Sequence, residues 1–180
     1  MSLAEPLPQS IAPAADRSSR LDHPSQRRFE MQPFYTLTTA LLRAVREHDF
    51  DTLATLCDDD AGIVDVDPSG QSVMVRTREE WEAWFHQLFG ALGAIGAETD
   101  SLVLDYHSTV DHDLGWSMLE FRQYLEIGDL VATFDCVSTI IWKRTPDGWR
   151  EARWHCSVLS QDVPDELAAL ADPEGAAPVH

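Results

Sequence analysis

The sequence predicts an α+β fold in which helices pack on one face of a curved antiparallel sheet. Three observations predict it. Between Phe34 and Leu92 the apolar residues recur at three- and four-residue intervals, the period of amphipathic helices. After Gly96 the period changes to two and stays so until Leu159. Hairpin chemistry, Gly128-Asp129 and Pro146-Asp147-Gly148, separates the long two-period runs. Helical runs followed by strand runs make a two-layer domain rather than alternating βαβ units.

The elements follow in order. Phe34, Leu37, Leu41, Ala44, Val45 and His48 share helical spacing and define a first helix. Asp49 is placed to cap a short second helix that turns Phe50, Leu53, Leu56 and Cys57 inward. Gly62 to Asp67 reads as a strand, stopped by Asp67-Pro68-Ser69-Gly70, which is turn chemistry. Thr77-Arg78-Glu79-Glu80 is a capping box and opens a third helix with Trp81, Trp84, Phe85, Leu88 and Leu92 inward. Long strands are expected over about 101–109, 114–127, 130–144 and 149–159. The stretch 1–33, rich in Pro, Ser, Ala and Arg and without a period, reads as a disordered or loosely ordered tail. A domain over 34–160 follows it. An acidic tail over 161–180 completes the chain, with a short helix near Glu166 to Leu170.

Composition narrows the function classes. Of 180 residues, 44% are hydrophobic, which is ordinary for one globular core. The formal net charge of -18 argues against nucleic acid as a partner, because phosphate binding needs a basic footprint. No run approaches the length of a membrane span, and the N-terminus lacks the apolar core of a secretory signal. The three cysteines, Cys57, Cys136 and Cys156, have neither metal-ligand spacing nor a disulfide framework. A reducing, cytoplasmic setting with no membrane, metal or cofactor is therefore the expectation.

Three stretches resemble the nuclear transport factor 2-like superfamily. That group includes ketosteroid isomerase, SnoaL-like cyclases, scytalone dehydratase and the calcium/calmodulin-dependent kinase II association domain. "HDFDTLATLCDDDAGIVDVDPSG" is similar to the isomerase segment that runs from the second helix into the first strand. "LEFRQYLEIGDLVATFDCVSTIIWKR" is similar to the central hairpin. "DGWREARWHCS" is similar to the closing strand of the kinase domain and of SnoaL-like relatives. The resemblance implies a cystatin-like roll: a cone-shaped sheet closed by three helices around an apolar cavity, paired as a homodimer through the outer sheet face.

The same resemblance implies pocket positions at Glu120, Ile140 and Cys156. Strand alternation adds Met118, Arg122 and Tyr124 on the second long strand. It adds Ser138 and Trp142 on the third, and Ala152, Trp154 and Val158 on the fourth. Leu41, Trp81 and Phe85 complete the expected lining from the helices. Asp67 matches the isomerase's general base, in an Asp-Pro-x-Gly turn. Its alternative role is to open that turn. Glu120 is the second catalytic candidate, although Glu120 and Arg122 also read as a mutually neutralising pair. The isomerase's two oxyanion donors are replaced by Leu41 and Ile140, which donate nothing.

Two functions remain from the sequence. One is a pocket for a small apolar or ring-containing molecule, with proton-transfer chemistry of the isomerase, dehydratase or cyclase kind. The other is a non-catalytic homo-oligomeric association module. His107 and His112, with Asp111 and Asp113 near them, read as a solvated loop rather than a metal site.

Overall fold

The computed structural model describes residues 24–66 and 72–171. Helix α1 (Pro24–Glu30) and α2 (Tyr35–Arg46) lead into α3 (Phe50–Leu56). Strands β1 (Cys57–Val66) and β2 (Ser72–Val75) precede α4 (Arg78–Ala94). Strands β3 (Glu98–Asp111), β4 (Leu114–Ile127), β5 (Leu130–Thr145) and β6 (Gly148–Asp162) form the meander, and α5 (Asp165–Ala171) follows. The fold class is the expected one, a curved sheet with helices on its inner face. The sheet has six strands in the order β2-β1-β6-β5-β4-β3. It is not wholly antiparallel, because β1 returns to lie parallel to β6.

Local chemistry sets the helix starts. The Asp49 side chain accepts from the Thr52 amide at 3.0 Å and begins α3. Thr77 accepts from the Glu80 amide at 3.2 Å while the Glu80 carboxylate takes the Thr77 amide at 3.3 Å, so the capping box is complete. Phe34 is the N-cap of α2 in the left-handed conformation, with φ 63°. That turn sends its ring across the inner face to stack on Trp142 at 5.3 Å and meet Trp149 edge-on at 5.0 Å. Gly115 makes room for it: a Cβ there would lie 2.4 Å from the Phe34 ring.

The segment expected as a loose tail is tied down at its inner end. Helix α1 falls within it, and Phe29 is buried beside Tyr35 and Tyr106. The Gln32 side chain donates to the Tyr106 carbonyl at 2.7 Å and accepts from the Ser108 amide at 3.1 Å. Strand β3 is the sheet's edge, and this amide occupies backbone groups that would otherwise stand open to another chain. Among the described residues, no helix is long and apolar enough to cross a membrane.

Three irregularities bend the β3–β6 meander, each an added residue that increases local twist. They fall between Val103 and Asp105 in β3, and twice in β6, opposite Asp135/Cys136 and opposite Ile141/Trp142 of β5.

Candidate functional site

Helices α2 and α4 and the inner face of the sheet enclose a cavity of about 390 Å³. Its deep end is closed by Leu53, Cys57, Ile63, Trp81 and Glu151, all buried. Its mouth lies among Ile95, Val158 and Gln161, which reach solvent. Most of the lining is apolar or aromatic, and among the described residues Lys, Arg and His are absent from it. A volume of this size is within the range of small-molecule sites, roughly 300 to 1,000 Å³.

Two carboxylates break the apolar surface. Glu151 is 2% exposed, and its Oε1 has no hydrogen-bond partner among the described residues. Burial pushes its carboxyl up to about 7. The Cys57 side chain opposite, on β1, hydrogen bonds to it and lowers it somewhat, as does the charge of Arg153, while Asp58 raises it. Burial holds the Cys57 thiol far above its usual range, and so protonated. The second carboxylate, Asp65, lines the cavity from β1, beyond Ile63. Near it stand Cys136 and Cys156, both free thiols. The Cys136 side chain and burial push the Cys156 thiol up.

The residues expected at the site divide into four groups. Leu41, Trp81, Phe85, Trp154 and Cys156 line the cavity, and so does Val158. Ser138, Ile140 and Trp142 point to the same side of the sheet but are sealed in the core, at 1%, 0% and 0% exposure. Ala152 belongs with these buried residues and sits at the irregularity of β6. Asp67 lies outside the described residues.

The fourth group is a correction. Met118, Glu120, Arg122 and Tyr124 are on the outer face, whereas Phe121, Gln123 and Leu125 line the cavity from β4. The two-residue turn Gly128-Asp129 is the cause. It pairs Ile127 with Leu130, so residues of opposite parity face each other across β4 and β5: Glu120 with Val137, and Ser117 with Ile140. Opposed residues share a face, so Glu120 and Ile140 cannot. On the outer face Arg122 makes a forked ion pair with Asp135, at 2.7 and 3.1 Å, rather than neutralising Glu120.

Sequence reading missed Glu151, Asp65 and the polar side chains Thr99, Ser101, Gln123 and Gln161. The signal for Glu151 was present. Trp149 and Trp154 are both part of the core packing, yet they stand five apart and a regular strand would put them on opposite faces. In the structure Trp142 opposes Glu151 while Ile141 opposes Arg153, leaving Ala152 as the extra residue. That residue brings Glu151 and Trp154 to the same interior. His107 and His112 pair with Asp105 and Asp111 at the surface. Among the described residues no group of three His, Cys, Asp or Glu side chains is arranged to hold a metal.

Comparison with known proteins agrees with this architecture. No curated protein sequence matches the chain. Among solved structures, a candidate dehydratase of the NTF2-like family from Streptomyces avermitilis is similar, with a TM-score of 0.60 and 20% identity, over 76% of this chain and 99% of that one. An NTF2-like protein with a cystatin-like fold from Novosphingobium aromaticivorans is similar, with a TM-score of 0.59 and 19% identity over 85% and 93%. A candidate calcium/calmodulin-dependent protein kinase type II association domain from Thiobacillus denitrificans gives 0.56 and 20% over 72% and 96%. A family model, the SnoaL-like domain, matches residues 35–161, which spans α2 through the end of the meander. The chain therefore belongs to the SnoaL-like domain family, with an NTF2-like, cystatin-like fold.

Proposed function

We propose that the protein binds a small, apolar, ring-containing molecule in the cavity and moves a proton on it, as an isomerase, dehydratase or cyclase does. The observation that carries this reading is the aromatic-walled cavity of about 390 Å³ with carboxylates set in its lining. A dehydratase described among the structural neighbours supports the reaction class. Asp65, whose strand leads directly to Asp67, supplies a carboxylate to the wall, and general acid–base work of this kind contributes roughly 100- to 10,000-fold in rate.

Mass spectrometry of the natively purified protein, before and after denaturation, tests binding: a small molecule should leave on unfolding. If one is captured, its turnover should fall at least about 100-fold in Asp65→Asn or Asp67→Asn. Full turnover in both variants would leave a binding protein only.

A second reading, an association module, draws on the outer sheet face. Leu114, Trp116 and Met118 of β4 are 57%, 41% and 39% exposed there. A shallow apolar depression of about 430 Å³ crosses that face at Val64, Met74, Ile141 and His155. An apolar sheet face of this kind suits a second copy of the chain, so a homodimer through it is part of the proposal and is compatible with the cavity function.

A further inference from the structure

We propose that the Glu151 carboxyl and the Trp81 indole N–H form a polar anchor at the deep end of the cavity, which receives the carbonyl oxygen of an uncharged ring compound. The inference rests on the cavity reading above and names the chemistry of the molecule that enters.

Two observations meet at one place. Glu151 Oε1 and Trp81 Nε1 are both buried, both without a partner, and both belong to residues that line the cavity. Buried polar atoms in folded proteins are almost always paired, so unpaired ones on residues that line a cavity mark where a ligand can complete them. They belong to the same end. Cys57 opposes Glu151 across the β1–β6 ladder and directly follows α3. Arg78, one turn before Trp81, stacks its guanidinium on that indole and reaches the Ala54 carbonyl of α3.

The protonation state decides what fits. With its carboxyl pushed up to about 7, Glu151 carries a proton in mildly acidic to neutral solution. Oε1, the oxygen without a partner among the described residues, is free to carry that proton. The anchor then offers two donors, O–H and N–H, and a carbonyl oxygen has two lone pairs to accept them. Two charges act on this carboxyl directly, Arg153 lowering it and Asp58 raising it. Arg78 and Arg150 act on Cys57, and Lys143 acts on Asp58 through a 3.2 Å ion pair, while Arg153 reaches the backbone and carboxylate of Asp60. An anionic ligand would meet Asp65 with no basic side chain in the lining to offset it. An ammonium could pair with Asp65 at the wall but would find no acceptor in the Trp81 N–H, so the two-donor anchor itself selects a neutral acceptor. The remaining wall is apolar and suits a ring.

Calorimetric titration with acetonaphthone, a ketone, and ethylnaphthalene, a hydrocarbon of similar shape, tests the anchor. The ketone should bind about 10-fold more tightly near pH 6. That advantage should shrink to about 2-fold near pH 8.5, where the carboxylate has lost its proton. Glu151→Gln, which keeps a donor but cannot titrate, should hold the advantage at both pH values. Glu151→Leu should lose it while still binding the hydrocarbon. Equal binding of the two probes by the unaltered protein would overturn the anchor and spare the cavity reading. Binding of neither would overturn both. A pH-independent advantage in the unaltered protein would exclude Glu151 even if Glu151→Leu failed to fold.

Discussion

The indole Nε1 of Trp142 donates to the Ser117 hydroxyl at 2.9 Å, a diagonal pair across the β4–β5 ladder with both residues fully buried. It fixes the orientation of the ring on which Phe34 stacks, and so fixes how the start of α2 meets the sheet. Ser117→Ala would leave the N–H buried and unpaired. The expected loss is about 1–3 kcal/mol of stability, read as a lower urea midpoint with an unchanged slope.

Glu151 makes stability depend on pH in a direction opposite to most carboxylates. Its folded-state pKa of about 7 lies above the ordinary 4.5, so the folded chain holds the proton longer than the unfolded one. The group's favourable contribution is complete below pH 4.5 and is lost as pH rises through about 7. The difference is about 3 kcal/mol. Denaturant unfolding at pH 5 and 8 should show this loss in the unaltered protein, and Glu151→Gln should remove that part of the pH dependence.

At Gly115 the absence of a side chain is itself the structural requirement. A methyl there would meet the Phe34 ring at 2.4 Å and the Thr109 carbonyl at 2.9 Å. The ring can shift only by disturbing Trp142 and Trp149. Gly115→Ala should therefore cost about 1–3 kcal/mol despite the usual gain of replacing glycine in a strand. Thermal unfolding would register it as a lowered midpoint.

The outer face gives a prediction of a different kind. Met118→Glu places a charge in the middle of the exposed apolar surface of β4, where the proposed partner copy would cover it. Sedimentation should show a dimer for the unaltered chain and a monomer for the variant, with the cavity probes still bound. A monomer in both cases would sink the dimer.

Legibility of the sequence varied with the range of the interaction involved. Elements fixed by neighbours in the chain were readable: the Thr77–Glu80 capping box, the Asp49 cap, and the hairpin at Gly128-Asp129. Strand β2 and the parallel pairing of β1 with β6 were not, because nothing local records which distant strand β1 will join. The facing of β4 was misread although its cause was local. Trp116 and Met118 are apolar on one side, Leu119 and Phe121 on the other, so hydrophobicity alone does not say which side is inside. The turn length does say it, by pairing Ile127 with Leu130. Helix α1 was hidden because, among its described side chains, Phe29 alone is buried in a polar stretch.

The extra residue at Ala152 works as a phase change along β6. Upstream of it the odd-numbered side chains look inward, and downstream, as far as the second irregularity, the even-numbered ones do. The acidity of the interior is thus governed by how many residues the backbone counts out, as well as by which residues they are. A relative with the same tryptophans and the same glutamate, but one residue fewer at this step, would have to turn either its acid or its aromatic wall to the outside. Aligning such chains by ladder position, instead of by residue likeness, should separate members with an acid at the bottom of the cone from members whose interior is neutral.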